Sequence, residues 1–221
     1  MLTLENYLDP HYINRSNWLR AAVLGANDGI ISVSSLAIGI AMGSRTKDPI
    51  LLATIASVVA GALSMAAGEY VSVSSQTDIE KADIKREAAE LAEMPELELQ
   101  MLVRIYEQGG LKQETALLVA NELTDQDALA AHVRDELGIT EINQANPIKA
   151  ALASGAAFTA GGILPLLVVF FPPVNNMEYY LYGFTILSLI ILGAVSAKTG
   201  GSSISKAVIR IVIWGTIAMG L

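Results

Sequence analysis

Residues 18–42 read WLRAAVLGANDGIISVSSLAIGIAM, a stretch long and apolar enough to cross a lipid bilayer as a helix. Asp28 interrupts this stretch and has no basic residue within one helical turn. A carboxylate at that depth costs about 2.5–3.5 kcal/mol on insertion scales, and such residues usually face a polar pathway where they bind a cation or a proton. The stretch therefore predicts a membrane helix, and Asp28 favours ion transport.

Apolar sequence recurs along the chain. The 221 residues are 52% hydrophobic, which is typical of multi-span membrane proteins rather than of soluble domains. The absence of cysteine excludes disulfides and thiolate metal sites, so a metal must be held by carboxylate, imidazole, thioether, amide or backbone oxygen. Five segments are long enough, or nearly so, to span the bilayer: 18–43, 50–75, 147–171, 179–198 and 204–221.

These segments predict an all-α fold, a five-span transmembrane helical bundle with a cytoplasmic helical domain inserted between spans 2 and 3. The predicted boundaries are 1–75 and 147–221 for the membrane part and 76–146 for the insert. Between residues 76 and 141 the chain has 16 Asp/Glu and 6 Lys/Arg, a net charge of −10. Such acidity argues against nucleic acid as a partner and favours cations.

The distribution of Lys and Arg predicts the orientation. Arg15, Arg20 and the basic residues of the insert place the N-terminus in the cytoplasm, and an odd number of spans then places the C-terminus outside. Arg45 and Lys47 oppose this assignment because they fall on the far side. Residues 1–10 contain acids and no basic cluster, so the sequence predicts no cleaved signal peptide.

Proline and glycine divide the insert into helices. No proline occurs between Glu69 and Pro95, so the second span is predicted to continue out of the membrane as one long helix. Pro95 either ends this helix or begins the next one. Glycine residues after a periodic stretch mark helix ends. Gly109-Gly110 is predicted to end the second helix, and a third helix is predicted over Leu111–Leu123. An N-cap within Thr124–Asp127 begins a fourth helix, which Gly138 ends.

Four carboxylates lie three, four and three residues apart on the predicted long helix and therefore share one face. Like charges at these spacings repel each other, and a cation between them would reverse that effect. The alternative is a solvated acidic face with Lys81 and Lys85 beside it. The four residues are Glu80, Asp83, Glu87 and Glu90.

Two further pairs extend this candidate metal site. Glu98 and Met101 are three residues apart in the next helix, and His132 and Glu136 are four apart in the last helix of the insert. Carboxylates with one imidazole and a thioether suit Fe²⁺, Mn²⁺ or Zn²⁺ better than Ca²⁺ or Mg²⁺. Taken singly, His132 fits a surface position of a helix and Met101 fits a core position.

The second span contributes Met65 and Glu69, four residues apart and so on one face. The Met65 thioether is a packing group or a soft metal ligand, and Glu69 is a proton or ion step or an interfacial acid. Small residues along the spans predict close helix packing. They include Gly25/Gly29, Gly39/Gly43 and Gly61/Gly68, and Gly161-Gly162 with Pro165 is a candidate break in the third span.

Taken together, several motifs resemble the vacuolar iron transporter family, which includes the nodulin-21-like proteins. They are GANDGIIS at 25–32, SMAAGEYVS at 64–72, SQTDIE at 75–80, KRE at 85–87, HVRDELG at 132–138 and GGILPL at 161–166. Any one of them is weak evidence, whereas the combination is specific and covers essentially the whole chain. The absence of long extensions resembles bacterial members, which implies the cell (inner) membrane.

The resemblance implies a homodimer, a three-helix cytoplasmic metal-binding domain, and proton-coupled export of Fe²⁺ from the cytosol. It implies that Asp28 and Met65 line the translocation path. It implies metal ligands at Glu87, Glu90, Glu98, His132 and Glu136. Where the family usually has a second Glu three residues after Glu98, this chain has Met101. Mn²⁺, Co²⁺ and Zn²⁺ remain alternatives to Fe²⁺ because their ligand preferences overlap.

Two other classes of protein compete with a transporter. A membrane-anchored iron-binding protein or ferroxidase would explain the carboxylates, but it has no need of Asp28, and the Glu-x-x-His pair typical of di-iron bundles is missing. A scaffold with an acidic sensor domain leaves Asp28 and Met65 unexplained. The sequence therefore favours a transporter over an enzyme.

Overall fold

The computed structural model describes residues 16–139 and 146–220, with side chains from residue 19 onward. The described residues form seven α-helices and no strand. The helices are α1 (Ser16–Gly43), α2 (Lys47–Glu93), α3 (Pro95–Gln108), α4 (Gln113–Asp135), α5 (Pro147–Phe170), α6 (Met177–Thr199) and α7 (Ile204–Gly220). The all-α prediction is confirmed for this part of the chain.

Four helices of the described chain are long and apolar enough to cross a membrane. They are Leu19–Gly43 within α1, the 47-residue α2, and the whole of α5 and α6. The fifth predicted span, 204–221, corresponds to α7, which has 17 residues. The count of five spans therefore stays a prediction.

The chain divides into two compact units. One unit comprises the residues up to Tyr70 together with those from Ile148 onward, and the other is Val71–Pro147. The first division falls inside α2, which runs without interruption from Lys47 to Glu93 as the lack of proline predicts. One helix therefore contributes residues to both units.

Several predicted helix boundaries of the insert are found in the structure, whereas the one between its predicted third and fourth helices is a bend within a single helix. Pro95 opens α3 at its first turn, where its missing N–H costs nothing. Gly110 follows α3 with φ +99°, a conformation that favours glycine, and Gly138 follows α4 with φ +68°. The predicted third and fourth helices are joined in α4, which begins at Gln113 and bends at Asp127. Asp127 has extended backbone there, and its Oδ1 accepts the N–H of Ala130 at 2.9 Å, as an N-cap does.

Within the unit that contains α1, α5, α6 and α7, one buried and one exposed polar contact join helices. The hydroxyls of Thr185 on α6 and Ser34 on α1 are hydrogen-bonded to each other at 2.7 Å, and both side chains are buried. At the start of α2, the Lys47 ammonium donates to the carbonyl of Phe170 at the C-terminus of α5, at 2.9 Å. Interhelical hydrogen bonds of this kind add to packing where lipid offers no alternative partner.

Glycines bring α1 and α5 into close contact. A Cβ on Gly29 would collide with the backbone carbonyl of Phe158, and one on Gly161 would collide with the backbone of Ala26. Gly25 meets Ala157 and the Ser154 carbonyl in the same way. The prediction of close packing through small residues therefore holds for the first half of α1.

Two expectations about small residues are wrong. Gly39, Gly43 and Gly68 have no other group within 4 Å of an added Cβ, so they mediate no helix contact within the described chain. Gly161-Gly162 and Pro165 do not break the third span, because α5 continues through them to Phe170. Gly161 instead serves the contact with α1 described above.

Some predictions lie outside the described residues. They concern the absence of a signal peptide at residues 1–10, the contribution of Arg15 to orientation, insert residues 140–145, and Leu221 at the end of the fifth predicted span.

The contact between α1 and α5 generates a stability test. We expect Gly29→Ala to lower the melting temperature of the detergent-solubilised protein, because the new methyl group overpacks the contact at a typical cost of about 1–3 kcal/mol. Gly39→Ala is the matched control on the same helix, since its Cβ would enter open space. Thermal unfolding followed by tryptophan fluorescence measures both, and equal melting temperatures would contradict the packing described.

Candidate functional site

A cluster of four ligand-type side chains lies in the Val71–Pro147 unit. It contains Glu87 of α2, Glu98 of α3, and His132 and Glu136 at the end of α4, and one ligand atom from each lies within 4.8 Å of the others. Glu87, Glu98 and His132 are buried, whereas Glu136 is more exposed. We call these four residues the carboxylate–histidine cluster.

A small apolar core places the residues of this cluster. Leu102, one turn after Glu98, is fully buried against Ala120 and Ala131 of α4. Ala131 immediately precedes His132, so the core contact that holds α3 on α4 also fixes the height of the imidazole. Because Glu136 follows His132 by four residues, it projects from the same face of α4.

The imidazole of His132 faces two carboxylates through one nitrogen. Its Nδ1 lies 2.9 Å from Oε2 of Glu136 and 3.0 Å from Oε1 of Glu87. A single N–H cannot satisfy both oxygens, and within the described residues Oε1 of Glu87 and Nε2 of His132 have no hydrogen-bond partner. Adjacent ligands of an octahedral cation with bonds of about 2.1 Å are separated by about 3.0 Å, so the spacing suits a shared cation.

The cluster has three carboxylates and, as its one basic group, the imidazole of His132. Among the described ion pairs, none joins a Lys or Arg to Glu87, Glu98 or Glu136. Burial, and next the neighbouring Glu136 carboxylate, raise the pKa of Glu87 above its ordinary value. A buried group of carboxylates that outnumbers its basic partners is stabilised by a proton or by a metal cation.

A polar network outside the cluster holds the end of α4. The hydroxyl of Tyr106 on α3 donates to Oδ2 of Asp135, and Arg134 donates to both carboxylate oxygens of Asp135 at 2.7 and 2.6 Å. The hydrogen bond from Arg134 keeps the pKa of Asp135 below its usual range, while burial and Asp135 raise the pKa of Tyr106 to about 12. These groups therefore keep their protonation states near neutral pH, next to Glu136.

Four candidates from the sequence do not join the cluster. Glu90 lies 3.9 Å from Arg86, which also pairs with Asp83, and Glu80 accepts a hydrogen bond from Gln76. Met101 is 38% exposed and lines a different groove of the unit, together with Leu97, Arg104 and Leu117. The carboxylate stripe of α2 is therefore split, with Glu87 in the cluster and the other three in solvent-exposed pairs.

A second group of candidates lines one groove in the other unit. This groove has a volume of about 490 Å³ and lies between the Asp28 side of α1 and the Met65 side of α2, with Phe158 of α5 at its wall. Asp28, Met65 and Glu69 all line it, which are the three residues that the sequence singled out in the first two spans. We call it the Asp28 groove.

Sequence reasoning missed several residues of these sites. Ser32, Ser57 and Ser64 line the Asp28 groove, although small polar residues in the spans pointed only to packing. The network of Tyr106 with Asp135 joins residues 29 positions apart, a separation at which no local periodicity gives a signal. For Ser32, a usable sequence signal is its spacing of four residues from Asp28, which places both side chains on one face of the helix.

Comparisons with known proteins cover both groups of residues. A model of the VIT family matches residues 19–221. A vacuolar iron transporter of Acanthamoeba castellanii is 42% identical over 212 residues, or 95% of this chain and 77% of that protein. Vacuolar iron transporter homolog 2.1 of Arabidopsis thaliana is 33% identical over 95% of this chain and 80% of its own length. VIT-like transporter 1b of Glycine max is 30% identical over 100% of this chain and 80% of its own.

The cluster generates a binding test. We expect Glu98→Gln to weaken Mn²⁺ binding to the metal-free full-length protein by about tenfold or more, because it removes a buried carboxylate ligand. Glu96→Gln is the control, since Glu96 lies on the same helix and is exposed. Isothermal titration calorimetry in detergent compares the variants, and the same affinity for both would exclude Glu98 as a ligand.

The raised pKa of Glu87 gives a pH dependence of known sign. The folded protein holds this proton more tightly than the unfolded chain, so the metal-free protein should lose stability as pH rises from 4.5 through the raised pKa. Glu87→Gln should remove that part of the pH dependence, whereas Glu93→Gln, exposed on the same helix, should retain it. Melting temperatures measured with a chelator present test this, and a wild-type profile in Glu87→Gln would contradict it.

Proposed function

Because the chain belongs to the VIT family, we propose that it is a proton-coupled transporter that exports Fe²⁺, and also Mn²⁺, from the cytosol. The observation that supports this most directly is the Asp28 groove. It combines a carboxylate, a thioether and several hydroxyls in a unit built from helices long enough to span a membrane. The relatives named above are called iron transporters, which also favours a transporter over an enzyme.

The groove has the ligand types that a transition metal requires. Asp28 offers a hard, charged oxygen, and Met65 offers a soft sulfur. Hard cations such as Ca²⁺ and Mg²⁺ gain little from a thioether, whereas Fe²⁺ lies between the hard and soft extremes and uses both. The pair therefore favours a transition metal over Ca²⁺ and Mg²⁺, and the names of the relatives favour Fe²⁺ among the transition metals.

The carboxylate–histidine cluster supplies the capture step of the proposed cycle. Its three carboxylates and imidazole would hold Fe²⁺ on the cytoplasmic side, within a segment of strongly negative charge. We assign the Val71–Pro147 unit to this cytoplasmic domain and the other unit to the bilayer. More Lys and Arg residues fall in the N-terminal segment and the insert than in the predicted outer loops, which supports this orientation. We propose the cell (inner) membrane as the location.

Glu69 is the candidate group for proton coupling. Glu69 lines the groove one helical turn after Met65. In the sequence it lies between Met65 and the residues of the carboxylate–histidine cluster. A carboxylate beside a divalent cation strongly prefers its charged form, so an arriving metal displaces a proton from it. When the metal leaves, the carboxylate takes up a proton again, which couples the two movements.

A homodimer explains how Asp28 is shielded from lipid. In a single subunit, Asp28 on α1 is exposed within the groove. Exposed apolar side chains such as Leu52 and Leu63 lie along α2, which forms the other side of the groove. An ionised carboxylate that faces hydrocarbon is costly. A second copy packed over the groove would enclose it and would add its own Asp28 and Met65 to the path.

A ferroxidase is the alternative from another class. It would use the carboxylate–histidine cluster, but the cluster contains one histidine and no Glu-x-x-His pair, and the Asp28 groove would have no role. Oxygen consumption by the purified protein with Fe²⁺ separates the two, since a transporter consumes none above the rate of free Fe²⁺.

The proposed pathway is tested by flux. We expect Asp28→Asn to abolish Fe²⁺ uptake into proteoliposomes that carry a pH gradient, because the amide keeps the shape and removes the charge. Asp48→Asn, at the exposed start of α2 and outside the groove, should transport normally. Wild-type flux in Asp28→Asn would refute the pathway, and wild-type flux that ignores the pH gradient would refute proton coupling.

A further inference from the structure

The hydroxyl of Ser32 has a fixed direction. Ser32 lies one helical turn after Asp28 and lines the same groove. Its O–H donates to the backbone carbonyl of Asp28, with an oxygen–oxygen distance of 2.6 Å. This is a short hydrogen bond within the helix, so the single proton of the hydroxyl is committed to the backbone.

A hydroxyl whose proton is committed acts only as an acceptor. A serine oxygen has two lone pairs and one proton, and a rotating hydroxyl can present either. At Ser32 the proton points to the backbone, so the lone pairs are what remains for a group in the groove. This arrangement is suited to a cation or its bound water and unsuited to an anion.

The spacing of Asp28 and Ser32 allows both to reach one ion. Side chains four residues apart on a helix have Cβ atoms about 5–6 Å apart, and the same spacing lets two side chains hold one zinc ion in the His-Glu-x-x-His motif. Met65 lines the groove from α2. Asp28 and Ser32 therefore offer hard oxygens from α1, and α2 offers the soft sulfur of Met65 beside the oxygens of Ser57, Ser64 and Glu69.

We propose that the Ser32 oxygen is a ligand of the transported metal, which it binds jointly with Asp28 during passage. The proposal rests on the transport function proposed above and adds a residue to its path. A neutral hard oxygen beside the carboxylate raises affinity without adding charge, so the metal can still leave. It also favours Fe²⁺ and Mn²⁺ over softer ions, which gain less from an oxygen ligand.

Ser35 offers a matched control. Its hydroxyl makes the same type of bond, to the carbonyl of Ile31 at 2.8 Å, on the same helix, but it does not line the groove. Removing either hydroxyl changes the helix in the same way. Only the substitution of Ser32 removes a group that lines the groove.

The kinetic test uses full-length protein in proteoliposomes. We expect Ser32→Ala to raise the apparent KM for Fe²⁺ by about tenfold, with a smaller effect on the maximal rate, as for loss of one metal contact. Ser32→Thr retains a hydroxyl that can bond to the same carbonyl and should restore the wild-type KM. Ser35→Ala should also match the wild type. A KM within twofold of wild type in Ser32→Ala, or an equal rise in Ser35→Ala, would overturn the proposal.

A second measurement does not depend on flux. The chain has no cysteine, so Ser32→Cys carries a single thiol that a maleimide can label. We expect Mn²⁺ to slow this labelling and Ca²⁺ at the same concentration to leave it unchanged. Equal labelling with and without Mn²⁺ would overturn the proposal, whereas protection without any wild-type flux would show that the metal site exists and that the transport function is wrong.

Discussion

The physical constraint behind this molecule is the cost of a carboxylate that is removed from water and has no Lys or Arg partner. It applies twice, once at Asp28 in an apolar helix and once at Glu87 in a buried cluster. Among the described ion pairs, none joins a Lys or Arg to Asp28 or Glu87. His132 lies beside Glu87 but is shared with Glu136, so it compensates at most one carboxylate of the cluster. A divalent cation is the compensating partner that both places have in common, and a proton is the second.

The two places differ in how they suit the passage of an ion. In the proposed cycle, the cluster is the strong site, because it has three carboxylates and an imidazole on three helices. The Asp28 groove has fewer charges, more hydroxyls and one sulfur, which makes it the weaker site of the proposal. Conduction requires sites that are favourable enough to enter and weak enough to leave. A stronger site for capture and a weaker site for transfer fit the proposed cycle. The helix α2 contributes residues to both sites.

Much of the fold was predictable because its boundaries are local. Pro95, Gly110 and Gly138 act on their own backbone, and Asp127 caps the residues that follow it. The fifth span is harder, because α7 is at the length where a helix begins to span a bilayer. Contacts between helices, such as that of Gly29 with Phe158, depend on which faces meet, so glycine spacing predicted the first half of α1 and failed for Gly39 and Gly43.

The candidate site was predictable to the extent that helical spacing determines it. His132 and Glu136 lie together because four residues make one turn, but Glu98 joins them only through the burial of Leu102. Met101 follows Glu98 by three residues and is rotated by about 60° in the direction away from Leu102, which turns it towards solvent. A difference of one position relative to the core therefore decides whether a side chain joins the carboxylate–histidine cluster.

The hydrogen bond from Lys47 to Phe170 bears on how membrane orientation is read from sequence. Counting rules treat every lysine as a free positive charge that resists crossing the membrane. The Lys47 ammonium instead meets the negative end of the α5 dipole, where a carbonyl without a helical partner accepts its proton. The charge of such a lysine is partly balanced by the helix end that it caps. Lys47 therefore carries less weight against a cytoplasmic N-terminus than its formal charge suggests.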